Sequence, residues 1–323
     1  MSDLEMNEKH EYIKIRVGSL LPGQAITFNL YVLLNTRHVL YLRAGEVLAK
    51  EKITQLEDKG SDSFYIEAKD RQAFKDYIHS KMNSDELDAR QKAFLLKESS
   101  FHLVEELFEK PDIDEALSES KEIIRDFVSY VDQEPEGVAH LIGLSSHDFY
   151  TYNHSLDVSI YAIGLAKIIG FSGDELVEMG RGGIFHDIGK RKVDPAIICK
   201  KGPLDDHEWA QMQKHPQYGL EILNEHDVSD AVIAACFEHH ENFLGNGYPQ
   251  GLDGEDIHPF GRIISIVDCY DAMTTKRSYN EPMAPLEAME FMKTKLIQKF
   301  DPDFLNAMYS CLLYTSPSPR DRI

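Results

Sequence analysis

Paired cysteines are missing from this chain of 323 residues: its four, Cys199, Cys236, Cys269 and Cys311, have no short paired spacing, so they read as reduced thiols rather than a disulfide framework. The opening residues, Met1 to Lys14, mix acids with bases and hold no apolar core, so a secretory signal is not expected. Long apolar runs are also lacking. The best candidate, Leu156 to Phe171, is interrupted by Asp157 and Lys167, is too short to span a bilayer, and reads as a buried helix. These absences predict a cytoplasmic protein with no membrane insertion. Positive charge is scarce: 34 basic against 55 acidic residues leave a formal net charge of −21, which argues against binding along a nucleic-acid polymer. A small anionic ligand stays compatible, because its binding depends on local charge. Bases do gather at Lys190, Arg191, Lys192, Lys200, Lys201, Lys214, Arg262, Lys276 and Arg277.

With 42% apolar residues, the length supports two domains with real cores. β-Rich runs at Ile13–Val17, Tyr31–Leu34, Val39–Leu42 and Ser63–Ile66, broken by Leu21-Pro22-Gly23 and Arg43-Ala44-Gly45-Glu46, predict strands and turns. With helices expected over Lys50–Asp58 and Lys69–Met82, residues 1–83 read as a small α+β domain, an accessory or regulatory module. Residues 84–139 carry apolar side chains at helical intervals, such as Phe94, Leu95, Ile123, Ile124 and Phe127, and read as a helical linker. From residue 140 to 310 helical periodicity dominates, with helices expected over Thr151–Ile169, Gly173–Ile188, Asp205–Asn224, Ser229–Glu241, Phe260–Met273 and Leu286–Lys299. The fold class is therefore mainly α, an all-helical bundle behind an α+β N-terminal domain. Residues 311–323 show no helical period and end in a Ser-Pro repeat, so they are expected to be disordered; they also resemble translated adapter sequence.

Within the helical part stand His154, His186-Asp187, His215, His239-His240 and Asp268. Imidazole nitrogens and carboxylate oxygens hold divalent metals in hydrolytic sites. Five His and two Asp exceed the needs of one ion, so two divalent metal ions are expected, which together clamp the attacking and leaving oxygens of a phosphoryl transfer. Asp187 has two oxygens with which to bridge the ions, Gly189 lets the chain turn, and Lys190 lies within reach of a phosphate. His239-His240-Glu241 runs into a glycine-rich loop, Gly245 to Leu252, suited to close approach of a ligand. His140, His147, His207, His226 and His258 match no ligand position and read as structural. Asp271 and Glu241 are candidates for supporting a ligand from behind.

The order His154, His186-Asp187 with Gly189-Lys190, His215-Pro216, His239-His240-Glu241, Gly247-Tyr248-Pro249, Asp268-Cys269-Tyr270-Asp271 and Arg277 closely resembles the HD-GYP branch of the HD phosphohydrolase superfamily, over roughly residues 140–309. The N-terminal segment looks like the small domain often found ahead of HD-GYP modules. The resemblance implies a cyclic di-GMP phosphodiesterase holding iron or manganese. It implies one ion on His154, His186, Asp187 and Asp268, and a second on Asp187, His215, His239 and His240. A hydroxide between the ions would attack phosphorus, Asp187 and Lys190 would serve catalysis, and Lys190, Gly247, Tyr248, Pro249 and Arg277 would bind the substrate.

Three positions depart from the family pattern. Tyr150 stands where some members have a Glu for a third metal, which favours two ions and the linear product pGpG over efficient conversion to GMP. Leu244 replaces a polar loop residue, and Asn280 replaces a second basic residue. These two support the alternative of a catalytically weak protein that acts as a cyclic-dinucleotide-binding or protein-interaction module. A homodimer or a signalling protein partner is the expected assembly. No phosphoacceptor pattern stands in the N-terminal domain.

Overall fold

In the computed structural model, which describes residues 11–58, 61–109, 113–134, 136–144, 151–275 and 281–315, the chain divides into two compact units, residues 1–103 and 104–323. In the first, period-2 patterning turns alternate side chains inward: Ile13 and Ile15 of β1 (Tyr12–Arg16) are buried while Tyr12, Lys14 and Arg16 lie on the other face. Strand β2 (Leu30–Leu34), β3 (Arg37–Leu42), helix α1 (Lys50–Glu57), β4 (Ser63–Glu67) and α2 (Arg71–Met82) follow. The strands form one antiparallel sheet in the order β1-β4-β2-β3. Its inner face packs Phe28, Leu30, Phe64 and Ile66 against Phe74, Tyr77 and Ile78, each such burial contributing roughly 1.5–3 kcal/mol. The expected strands and helices of this part are all present within a residue or two of their predicted ends.

Helix α3 (Ala89–Glu109) crosses the division between the units, and α4 (Ile113–Gln133) buries Ile123, Ile124, Phe127 and Val128 as a helical stripe. The second unit continues with α5 (Gly137–Gly143), α6 (Thr151–Ile168), α7 (Asp174–Phe185), α8 (Pro195–Ile198), α9 (Asp206–Met212), α10 (His215–Leu223), α11 (Asp230–Glu238), α12 (Pro259–Thr274), α13 (Pro285–Lys295) and α14 (Pro302–Thr315). Helix α6 is buried along most of its length, from Leu156 and Val158 to Leu165 and Ala166. Among the described residues no helix is long and apolar enough to cross a membrane. Helix α6 packs on α7 and α12, α7 on α11, and α11 on α10 and α12, so the helices bearing the seven ligand candidates form one contiguous group.

Two sequence expectations are corrected. The helix expected over Asp205–Asn224 is two helices, because Pro216 lacks the N–H that would bond to the Met212 carbonyl and its ring would clash there. Helix α9 starts on a capping box between Asp205 and Glu208, and α10 restarts at His215 with the proline in its first turn. The segment from Cys311 was expected to be disordered, yet α14 runs through Thr315. Leu305, Met308 and Leu312 form a buried stripe there, and Met308 and Leu312 meet Ile142, Tyr161 and Leu165. Residues 316–323 lie outside the described residues.

Candidate metal centre

Three histidines sit at helix ends. His186 follows the last residue of α7, His239 follows the last residue of α11, and His215 is the first residue of α10. Each turns its ring Nδ1 onto the carbonyl three residues earlier: His186 to Gly183 at 2.7 Å, His215 to Met212 at 2.7 Å and His239 to Cys236 at 2.8 Å. The last carbonyls of a helix have no partner in the helix itself, and Pro216 cannot donate to Met212, so these oxygens are free to accept. A ring nitrogen facing a carbonyl must carry the proton. With Nδ1 so engaged, the three rings turn their Nε2 atoms inward, and His154 does the same by a different route. Its Nδ1 donates to Asp271 Oδ2 at 2.7 Å, while Asp271 Oδ1 accepts from Thr275 Oγ1 at 3.1 Å.

These nitrogens converge on Asp187. Its Oδ1 lies 3.3 Å from His215 Nε2 and 3.9 Å from His239 Nε2; its Oδ2 lies 3.4 Å from His186 Nε2 and 3.9 Å from His154 Nε2. Asp268 Oδ1 is 3.3 Å from His154 Nε2 and 4.0 Å from His186 Nε2. Donor atoms of His154, His186 and Asp268 fall within 4.8 Å of one another, as do those of His215, His239 and His240, and those of His186, Asp187 and His239. All seven ligand candidates are thus brought together from five helices and their ends. Lys190 Nζ bonds to Asp187 Oδ2, and its side chain stays 32% exposed, so its charge remains in contact with solvent beside that carboxylate.

The donor chemistry fits divalent metal. His186 Nε2 and Asp187 Oδ1 are buried without a hydrogen-bond partner, and such an orphaned group costs about 1–3 kcal/mol unless something else satisfies it. Burial lowers the pKa of His215, drives His239 well below the ordinary imidazole value and takes His240 down to about 3, so all three rings favour the neutral form that a metal ligand needs. Burial acts against protonation of His154 too, but Asp268 and Asp271 outweigh it and raise that ring to about 10. Burial likewise opposes ionisation of Asp187 and Asp268. Lys190 with His186 and His215 holds the first well below the usual carboxylate range, and His154 with His186 does so for the second.

The loop after His240 is held from inside. Glu241, 2% exposed, accepts the N–H of Gln250 at 2.6 Å, of Gly251 at 3.0 Å and of Leu252 at 3.1 Å. Its partner is therefore the loop and not a ligand. Tyr248 N donates to the His240 carbonyl at 3.2 Å, and the phenol ring stacks on the His240 imidazole, centroids 4.8 Å apart. A Cβ at Gly247 would lie 2.3 Å from Asn242 N and 2.4 Å from Glu241 Cα, so only glycine lets the loop fold back on its own backbone. Similarly, a Cβ at Gly189 would lie 1.8 Å from the His215 carbonyl, so glycine is needed for the stretch between Asp187 and Lys190 to lie against α10.

Among the other basic residues, Lys192 pairs with Glu221, Lys200 with Glu208, and Arg262 with Asp301 at 2.7 Å. Leu244, 58% exposed, forms an isolated bridge with Asp253. His226 pairs with Asp114 and His258 caps α12, as structural histidines do. Tyr150, Lys276, Arg277 and Asn280 lie outside the described residues. Sequence reasoning had no means of finding Thr275 or the three carbonyl acceptors. It did flag Asp271, three residues after Asp268 on the same helix.

The family model of the HD domain matches residues 138–304. A protein named cyclic di-GMP phosphodiesterase from Pseudomonas aeruginosa is 34% identical over 189 residues, covering 58% of this chain and 45% of its own length. A 3'3'-cGAMP-specific phosphodiesterase of Vibrio cholerae is 35% identical over 157 residues, covering 48% of this chain and 30% of its own. The chain thus spans less than half the length of these relatives. Among solved structures, an HDG"Y"P protein from Bdellovibrio bacteriovorus superposes with a TM-score of 0.73 over 94% of this chain and all of that one, at 23% identity, and shares the fold.

Proposed function

Since the chain belongs to the HD domain family, we propose that it is a metal-dependent phosphodiesterase that opens cyclic di-GMP to linear pGpG. The observation that carries this reading is Asp187, whose two oxygens face two separate sets of inward imidazole nitrogens. His154, His186 and Asp268 would hold one divalent ion and His215, His239 and His240 the other, with Asp187 common to both. Nitrogen and oxygen donors without thiolate suit iron or manganese. When bound, such a pair supplies a deprotonated water at neutral pH and positive charge for both the attacking and the leaving oxygen.

The protein's own groups do the rest. Lys190, beside Asp187 and partly exposed, would neutralise nonbridging phosphate oxygens as charge builds on them. Cleavage of the bond between phosphorus and a ribose 3' oxygen, which takes up a proton, leaves a 5'-phosphorylated linear dinucleotide. Tyr248, with its neighbours Gly247 and Pro249, forms a wall beside the His240 side of the centre, and Arg277 would contact a phosphate or guanine. The test is chromatography of products from cyclic di-GMP incubated with iron- or manganese-loaded protein under reducing conditions. Formation of pGpG, abolished in Asp187→Ala, is expected; fully metallated protein yielding neither pGpG nor GMP overturns the reading.

A further inference from the structure

The chain has a single tryptophan, and it stands on α9 beside the metal centre with 47% of its surface exposed. Exposure on that scale is unusual for the largest apolar side chain, which commonly buries most of its surface in a core or an interface. Trp209 is also well anchored. The capping box of Asp205 and Glu208 fixes the first turn of α9, Lys200 pairs with Glu208, and Trp209 N donates to the Asp205 carbonyl at 2.8 Å. Its indole meets Tyr248 edge to face, centroids 6.3 Å apart with the planes at 81°, and Tyr248 in turn stacks on His240. A continuous series of rings therefore leads from a metal-ligand imidazole outward to an open indole face.

Resting on the phosphodiesterase reading above, we infer that Trp209 is a stacking platform for one purine base of the cyclic dinucleotide and so helps set its affinity. With a phosphate at the Asp187 centre, the ribose lies along Tyr248 and the attached base reaches the indole. The face that receives it is held rigid by the helix cap, so little order is lost on binding. Stacking accepts any base because every base has a π-face, so Trp209 adds affinity without separating guanine from adenine. Base recognition by hydrogen bonds is left to other groups.

The lone indole is its own reporter. On rapid mixing of the manganese-loaded full chain with excess cyclic di-GMP, tryptophan emission should fall with a saturable amplitude. Trp209→Ala should raise KM by roughly 5- to 150-fold at unchanged kcat, and Trp209→Phe should stay close to wild type in KM. A merely structural role would move kcat or thermal stability along with KM. Turnover with unchanged emission and unchanged KM in Trp209→Ala overturns the platform while leaving the phosphodiesterase reading intact. Saturable quenching without turnover supports the platform and removes the catalytic reading; neither quenching nor turnover overturns both.

Discussion

Asp271 offers the sharpest test of how the site is held. Its carboxylate is fully buried, binds no other candidate ligand than His154, and divides its oxygens between His154 Nδ1 at 2.7 Å and Thr275 Oγ1 at 3.1 Å. In Asp271→Ala the His154 ring loses both its orientation and the charge that favours its basic Nε2. Loss of such an orienting partner typically lowers metal affinity 10- to 100-fold, about 1.4–2.7 kcal/mol. Only the ion proposed for His154, His186 and Asp268 should weaken, because the His215, His239 and His240 rings are oriented by backbone carbonyls or by Tyr248. Asp271→Asn should suffer less, since an amide can place its oxygen on His154 and its nitrogen on Thr275. Elemental analysis after dialysis against graded chelator should therefore show one metal equivalent leaving early in Asp271→Ala and both persisting in wild type. Simultaneous loss of both equivalents, or retention of both at wild-type affinity, would refute the reasoning.

Glu241→Gln replaces an acceptor of three backbone N–H groups with a side chain that points a donor at them, at a cost of about 1.5–3 kcal/mol per charged hydrogen bond lost. The loop bearing Tyr248 should loosen, seen as faster hydrogen exchange at residues 245–252 and a higher KM with metal content unchanged; unaltered exchange there would count against the clamp. In metal-free protein His154 is raised from 6.5 to about 10 by Asp268 and Asp271, with burial opposing them. Its proton favours the folded state below the unfolded value near 6.5, and that contribution fades as pH rises through about 10. Thermal unfolding of the metal-free protein should thus weaken across this window, whereas metal affinity should strengthen as the proton becomes easier to displace. Stability that is flat from pH 7 to 10 in chelator would contradict the His154 assignment.

The sequence by itself determined the local elements and the chemical vocabulary. Period-2 runs placed the four strands within a residue or two, and helical periods marked where most helices lie, because both patterns depend on which face of a local backbone must be buried. The ligand series was legible for the same kind of reason: His and Asp carry their chemistry wherever they stand. Pro216 carried a break in Asp205–Asn224 that periodicity alone passed over, and the stripe Leu305, Met308, Leu312 was hidden because its partners Ile142, Tyr161 and Leu165 are far away in the chain. What only the tertiary structure decided is which atoms meet. Asp271 was a candidate support without an assigned partner until α6 and α12 packed and set its oxygen on His154. Glu241, the other candidate support, went to the loop that folds over it, and Trp209 gained its place only when α9 brought it to Tyr248. The physical reason is that these contacts are set by the path of the folded chain and not by local side-chain pattern. The His154–Asp271 bond spans 117 residues and depends on how helices pack, and even the short reach from Glu241 to its loop depends on how the chain folds back, which no local pattern of side chains encodes.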